Sequence, residues 1–234
     1  MKKLPATLAL CAALGANCAN AALDSRLGGQ MVYDTDRNIT WLANANLATS
    51  EDFGVRFIDP TGYTDADSAL NWIGAMNSSN YLGFNNWRLP TTLQPDPSCG
   101  TQDGLGSRGV NCSGGEMGHL FYSELGGKAN QDIATTHNTN YSLFQNFQSQ
   151  GFVYWSGTTA GSQGRGSTWE FDFGKGVQFS GRNLNGAFML AVRSGDVVSA
   201  VPEPESWILV LSGLALIGWR LKRLCDLAPV FRTP

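Results

Sequence analysis

The chain contains two histidines, and neither stands in a pattern that binds a metal or performs acid–base catalysis. His119 lies beside Leu120 and Phe121, which favours a structural histidine whose hydrogen bonds are satisfied inside the core. His137 lies in the polar stretch 135–140, which is typical of a solvated side chain. The sequence has no His-Glu-x-x-His motif and no three-residue cluster with zinc-ligand spacing. It therefore predicts no catalytic histidine.

Asp34, Asp36 and Asn38 alternate in the way that opens a calcium-binding loop. An EF-hand requires glycine at the sixth position and glutamate at the twelfth, where this chain has Ile39 and Ala45. The spacing is therefore more typical of a turn that connects two strands. The alternatives are calcium held by these three residues and a carboxylate-lined calcium site of another geometry.

Ser156 and the cysteines give no sign of a catalytic nucleophile. Ser156 stands in Trp-Ser-Gly, which differs from the Gly-x-Ser-x-Gly turn of many hydrolases. Cys99 and Cys112 are the only cysteines between the two chain ends, and a loop rich in glycine surrounds them. This predicts a disulfide in an oxidising compartment, which would contribute about 3 kcal/mol in the chain-entropy model. A redox pair or a copper-binding pair is the alternative.

Composition predicts an extracellular domain with a core and many turns. Charged residues make up 15% of the chain, aromatic residues 11%, and there are 28 glycines. Residues 22–200 include ten basic and sixteen acidic residues, a net charge of −6 without any basic run. This charge distribution argues against nucleic acid and anionic membrane surfaces as partners.

The hydrophobic pattern predicts an α+β domain with two helices and a small antiparallel sheet. The predicted strands are 31–33, 39–42, 152–156, 169–173, 177–179 and 188–193. The first helix is predicted over 64–77, with Thr64 or Asp65 as its cap and Ala66, Ala69, Leu70, Ile73 and Met76 on its buried face. A capping box from Ser113 to Glu116 predicts the second helix, which would bury Met117, Leu120, Phe121 and Leu125 and end near Gly126.

The N-terminus has the three parts of a secretory signal peptide. Lys2 and Lys3 form a basic head, an apolar run follows over 4–15, and Ala19-Asn20-Ala21 ends the segment with small residues. The apolar run is too short for a membrane span, which needs about 20 residues. Residues 1–21 are therefore predicted to be a signal peptide that is removed.

The C-terminus predicts a short membrane segment. A linker over 197–206 contains Pro202, Glu203 and Pro204, and an apolar helix is predicted over 207–221. Its apolar run covers only roughly 20 Å of a hydrocarbon core about 30 Å thick. The basic residues Arg220, Lys222 and Arg223 follow, so the tail 222–234 is predicted to stay cytoplasmic.

This order of a Pro-Glu-Pro motif, a short apolar helix and a basic cluster resembles the PEP-CTERM sorting signal of Gram-negative bacteria. The resemblance covers about 201–223. It implies that an exosortase, a membrane-embedded processing enzyme, recognises the tail and removes it near the motif. It also implies an association with exopolysaccharide and biofilm.

The region 22–196 is similar to a second family, the Lcl C-terminal domain of collagen-like bacterial adhesins. The segments that carry the resemblance are Tyr33-Asp34 with Ile39-Thr-Trp41-Leu42, Asn86-Trp87-Arg88-Leu89-Pro90, residues 116–124, Tyr154-Trp155-Ser156-Gly157, Trp169-Glu-Phe171-Asp-Phe173 and Ala191-Val192-Arg193. The resemblance implies a C-type-lectin-like fold related to formylglycine-generating enzymes and binding to sulfated polysaccharides. The copper-binding cysteine pair of those enzymes has no counterpart late in this domain, so their activity does not carry over.

The tryptophans and two arginines of these motifs are predicted to be structural. Trp87, Trp155 and Trp169 could stack on sugars, but their place within the motifs of the fold favours core packing. Arg88 and Arg193 are predicted to anchor internal hydrogen bonds and not a ligand. With a net charge of −6, a sulfated polymer would need a local basic patch or a bridging cation.

The sequence as a whole predicts an exported, non-enzymatic surface or matrix protein with a lectin-like binding module. Its expected partners are an exosortase, the inner membrane through the C-terminal helix, and polysaccharide. Export through the Sec pathway would be followed by transient anchoring in the inner membrane and a final place at the cell surface, outer membrane or extracellular matrix. The alternatives are an extracellular enzyme acting on polysaccharide or protein, and a purely structural coat component.

Overall fold

The computed structural model describes residues 23–161, 166–197 and the single residue 214. Residues 1–197 and 198–234 form two separate compact units, and the fold below is that of the first. The predicted signal peptide, the Pro-Glu-Pro motif, the basic residues and, apart from Leu214, the apolar tail lie outside the described residues. Among the described residues, no helix has the length and apolar character that crossing a membrane requires.

The described unit combines few helices with small antiparallel sheets, so the predicted mixture of helices and antiparallel strands is confirmed. In chain order the elements are β1 (Leu23–Arg26), β2 (Met31–Asp34), β3 (Ile39–Leu42), α1 (Ala66–Ser78), β4 (Thr101–Asp103), β5 (Gly106–Arg108), α2 (Glu116–His119), a wide turn of helix (Leu120–Glu124), β6 (Val153–Thr159), β7 (Ser167–Asp172), β8 (Val177–Arg182) and β9 (Val192–Ser194). Three sheets follow, in the strand orders β1-β2-β3-β9, β4-β5 and β6-β7-β8.

A buried extended segment over 187–191 joins the two larger sheets. The backbone N–H of Phe188 donates to Val153 in β6 at 2.8 Å, and Ala191 accepts from Leu42 in β3 at 2.9 Å. The prediction of one strand over 188–193 is therefore wrong for its first residues. Residues 188–191 bond to two different sheets in turn, so only Val192–Ser194 pairs continuously along one neighbour.

Helix α1 begins and ends close to its predicted limits. The Asp65 carboxylate accepts from the backbone N–H of Ser68 at 2.8 Å, so Asp65 is the predicted N-cap. The prediction for Leu70 is wrong, since 55% of it is exposed. The buried stripe follows Ala69, Trp72, Ile73 and Met76, and position 70 lies beside that stripe.

The predicted capping box before α2 is wrong. Gly115 is the N-cap and supplies no side-chain hydrogen bond. Glu116 does not turn back to the helix N-terminus, because Arg88 binds both of its carboxylate oxygens at 2.7 Å and Thr91 donates a backbone N–H at 2.7 Å. This bidentate ion pair fixes the start of α2 and confirms Arg88 as an internal anchor.

Two groups of buried apolar side chains form the core. One includes Trp41, Phe121 and Phe171 and packs beneath α2 and the wide turn. The other includes Trp72 and Trp155 and packs beneath α1. The predicted core packing of Trp87, Trp155 and Trp169 is confirmed, as is the burial of Met117, Leu120, Phe121 and Leu125 beneath the second helix.

Helix α2 lies directly on the cysteine loop. The predicted disulfide between Cys99 and Cys112 is present, and Cys112 is fully buried. A Cβ atom on Gly118 would lie only 1.7 Å from the carbonyl oxygen of Cys112. Only glycine allows this approach, so Gly118 sets the distance between α2 and the loop.

The substitution Gly118→Ala should therefore lower the free energy of unfolding by about 1–3 kcal/mol, because the helix or the loop backbone must move. The matched control is Gly74→Ala in α1, where a Cβ meets nothing within 4 Å. There alanine should raise the free energy of unfolding by about 0.5–1 kcal/mol through its higher helix propensity. Urea unfolding of both variants measures the difference. Equal effects at the two positions would contradict the close contact.

Candidate functional site

One cluster of titratable side chains lies inside the described domain, and it joins Asp34, His119 and Glu124. One ligand-type atom from each residue lies within 4.8 Å of the other two. His119 Nε2 is 3.0 Å from Glu124 Oε1 and 3.9 Å from Asp34 Oδ2. Asp34 is fully buried and Glu124 is 3% exposed. We call these three residues the buried triad.

Asp34 enters the triad because it is the last residue of β2, at the start of the turn to β3. Its Oδ1 accepts the backbone N–H of Arg37 at 2.9 Å, which holds the carboxylate by one oxygen. The guanidinium of Arg37 donates to the carbonyl oxygens of Gly114 and Ser113, both at 3.0 Å. The turn is thereby fastened to the residues that precede α2.

His119 and Glu124 come together because the helix widens between them. In a regular α-helix, side chains five positions apart point about 140° away from each other. Here Leu125 donates to the carbonyl oxygen of Leu120 at 2.9 Å, a bond five residues long that inserts an extra residue into the turn. Such π-type turns are rare and are frequent at functional sites. This one brings both side chains to the same side.

Two buried atoms of the triad lack a hydrogen-bond partner among the described residues. These are Asp34 Oδ2 and His119 Nε2. The 3.0 Å contact of Nε2 with Glu124 does not have hydrogen-bond geometry. The indole N–H of Trp41 lies beside the Asp34 carboxyl group, where a weak hydrogen bond partly offsets the rise in pKa that burial causes, but the two groups do not reach the geometry of a full hydrogen bond. The prediction of a fully satisfied His119 is therefore wrong.

Burial disfavours the charged forms of all three residues. It raises the pKa of Asp34, and it lowers the pKa of His119 together with the nearby charge of Arg37. Burial, followed by the charges of Asp34 and Asp36, raises the pKa of Glu124 to about 7. The triad thus combines neutral imidazole with carboxyl groups that ionise reluctantly in this setting.

The fold separates the three residues of the predicted calcium site. Asp34 is buried in the triad, whereas Asp36 and Asn38 are exposed. Asn38 has a positive φ of 51°, and its side-chain oxygen accepts from the hydroxyl of Tyr33 at 3.0 Å. The segment is a strand-connecting turn, as its spacing predicts, and calcium at all three residues remains a prediction. The sequence missed His119 and Glu124 as partners of Asp34, although all three lie inside the quoted family motifs.

Other predicted residues take structural places. Arg193 Nε donates to Asn86 at 3.0 Å, and its guanidinium lies 4.2 Å from the ring centre of Phe84, which confirms it as an internal anchor. Ser156 is buried and donates to the carbonyl oxygen of Pro90 at 2.9 Å. His137 is exposed and stacks on Tyr141.

A second buried carboxyl group, Glu170, lies apart from the triad in β7. It is 2% exposed, and its Oε1 has no hydrogen-bond partner among the described residues. Burial raises the pKa of Glu170 to about 7. The folded state therefore binds a proton more tightly than the unfolded chain, and stability falls as pH rises between about 4.5 and 7.

The substitution Glu170→Gln should remove this loss of stability at higher pH, because glutamine does not ionise. The free energy of unfolding of the variant minus that of the wild type should therefore rise by about 2 kcal/mol from pH 5 to pH 8. Urea unfolding at both pH values measures it, and Asp67→Asn, which removes an exposed charge, controls for net charge. Parallel pH profiles for wild type and Glu170→Gln would show that the carboxyl group is not held in this environment.

Comparison with known proteins gives no relative for this chain. It matches no protein-family model, no curated protein and no solved structure. The resemblances to the Lcl C-terminal domain and to the PEP-CTERM signal therefore stay predictions from the quoted motifs.

Proposed function

We propose that the chain is an exported, non-enzymatic binding module that holds an acidic polysaccharide at a polar cavity on the β7–β8 hairpin. The cavity has a volume of about 520 Å³ and is lined by Ser167, Ser180, Gly181, Arg182 and Asn185. We call it the hairpin cavity. Its size falls within the range of small-ligand sites.

The observation that carries the proposal is that the polar side chains around the hairpin cavity form no side-chain hydrogen bonds with residues 23–161 and 166–197. Toward the described residues, the side chains of Ser180, Arg182 and Asn185 make no hydrogen bond. Hydroxyl, amide and guanidinium groups that are not used in such bonds can bind the hydroxyl, carboxylate or sulfate groups of a sugar. The pairing of Ser167 with Arg182 across the two strands places donors from both strands on one face.

A second cavity, of about 590 Å³, lies on the β4–β5 hairpin and differs from the hairpin cavity in its side-chain hydrogen bonds. Its polar side chains are already bonded within the protein. Gln94 donates to the carbonyl oxygen of Ser107 at 2.8 Å, and Gln102 donates to that of Asp96 at 2.6 Å. Asp103 pairs with Arg108 at 2.6 Å. A ligand there would have to break these bonds, whereas the hairpin cavity offers its groups without that cost.

Arg182 favours an acidic ligand over a neutral one. The described domain carries more acidic than basic residues, so a polyanion needs a local cation, and the hairpin cavity provides one. The five tryptophans of the described domain cannot serve as stacking platforms, because they are buried. The proposed recognition therefore rests on hydrogen bonds and charge, which suits uronate or sulfate groups.

The triad is the one observation that favours an enzyme. However, neither of the two cavities above, nor a third of about 200 Å³ beside Leu42 and Tyr81, is lined by a triad residue. A buried acid–base cluster that lines none of these three cavities is better suited to a structural role than to acid–base catalysis. The disulfide, together with the export signals that the sequence predicts at the two chain ends, supports a place outside the cytoplasm, where an exosortase would process the tail.

The test is binding of the purified chain to immobilised sulfated and uronate polysaccharides, with uncharged dextran as the negative ligand. The double variant Arg182→Gln/Asn185→Ala should bind the acidic polymers at least about tenfold more weakly, a loss of about 1.4 kcal/mol. The matched control is Arg108→Gln, which removes an exposed arginine from another hairpin. Unchanged binding by the double variant, or equal losses in both variants, would refute the hairpin cavity as the site.

A further inference from the structure

We propose that Asp34, His119 and Glu124 bind one divalent transition-metal ion of the zinc class, which links β2 to the second helix. The site is independent of the hairpin cavity, since the two share no residue. No sequence motif assigns it, because its ligands come from separate elements that only the fold brings together.

The first argument is the pair of orphaned atoms. A buried polar atom without a hydrogen bond costs about 1–3 kcal/mol, and the triad contains two such atoms, Asp34 Oδ2 and His119 Nε2. Both lie on the inner side of the cluster, 3.9 Å apart, which is too long for a hydrogen bond. An ion between them would give each lone pair a partner at once.

The second argument is distance. Zinc binds histidine nitrogen and carboxylate oxygen at about 2.0–2.2 Å in tetrahedral geometry, so two ligand atoms on one ion lie about 3.3 Å apart. The separations from His119 Nε2, 3.0 Å to Glu124 and 3.9 Å to Asp34, lie on either side of that value. The ligand atoms of Asp34 and Glu124 lie within 4.8 Å of each other, so side-chain shifts that draw the two carboxylates together would complete the ligand set. One enclosed water molecule would supply the fourth ligand of a tetrahedral site.

The third argument is the support around the ligands. The Arg37 backbone N–H holds Asp34 by Oδ1 and leaves Oδ2 free to face the cluster. The carbonyl oxygen of Glu124 accepts from the side-chain amides of Asn138 and Asn140, at 2.8 and 2.9 Å. The hydrogen bond on Asp34 fixes the direction of its carboxylate, as surrounding hydrogen bonds do for ligands in metal sites, whereas the two bonds to the backbone oxygen of Glu124 fix the main chain of that residue.

The donor set selects the class of ion. Neutral imidazole nitrogen suits zinc and its transition-metal neighbours, whereas calcium requires six to eight oxygen ligands. Two carboxylates and one imidazole are too few oxygens for calcium and give formal charge balance with a divalent ion. Because the ligands are buried and border none of the cavities described above, the ion would act as a cross-link between elements and not as a catalyst.

The test uses the full chain with Cys11, Cys18 and Cys225 replaced by serine, so that no free thiol competes for the metal. After treatment with a chelator and its removal, zinc is titrated by calorimetry and the melting temperature is recorded. We expect one zinc ion per chain and a rise of about 5–10 °C when free zinc exceeds the dissociation constant 100-fold. Calcium and magnesium at the same concentration should leave the melting temperature unchanged.

The variants separate a metal site from a hydrogen-bonded network. Without metal, the melting temperature of Glu124→Gln should equal or exceed that of the parent chain, because the variant lacks a buried charge. With zinc, its melting temperature should lie below that of the parent chain, and it should bind zinc at least about tenfold more weakly. His119→Gln should also lose the zinc response. The control His137→Gln removes an exposed histidine and should keep it. The proposal is overturned if zinc gives no shift, if Glu124→Gln keeps the full shift, or if calcium gives an equal one.

Discussion

Two carboxyl groups and an imidazole meet inside this domain at a place where bulk water cannot solvate them. Charged groups in such a place need a partner, and hydrogen bonds within the described chain satisfy only part of what Asp34 and His119 offer. The surrounding structure is arranged to hold the three side chains against this penalty. A bound cation would turn the same arrangement from a cost into a stabilising link between the four-stranded sheet and the second helix.

Several otherwise unrelated features act on the triad. The π-type turn brings Glu124 to the same side as His119. The contact of Gly118 with Cys112 sets the depth of the helix that carries His119. Arg37 fastens the turn after Asp34 to the residues before that helix, and the disulfide steadies the loop on which the helix lies. An oxidising compartment, which favours the disulfide, would thus also favour the geometry of the triad.

Local features of the fold were predictable from the sequence, and the site was not. The Asp65 cap, the strands around the Asp34 turn, the disulfide and the buried tryptophans all depend on neighbouring residues or on hydrophobicity, which a sequence displays directly. The triad depends on a wide helical turn and on contacts between distant segments. The sequence therefore predicts a satisfied core residue at His119, between apolar neighbours, and assigns no role to Glu124. The capping box fails because a tertiary ion pair with Arg88 takes the side chain of Glu116, and Leu70 is exposed because it lies beside the buried stripe of α1.

The central claim is that the triad is a ligand set, and zinc K-edge X-ray absorption of the zinc-loaded, thiol-free chain tests it most directly. The account predicts about four nitrogen and oxygen ligands at about 2.0–2.1 Å, with the outer-shell scattering of a single imidazole. A first shell of oxygens without imidazole scattering, or the scattering of two or more imidazoles, would place the ion elsewhere and contradict the claim.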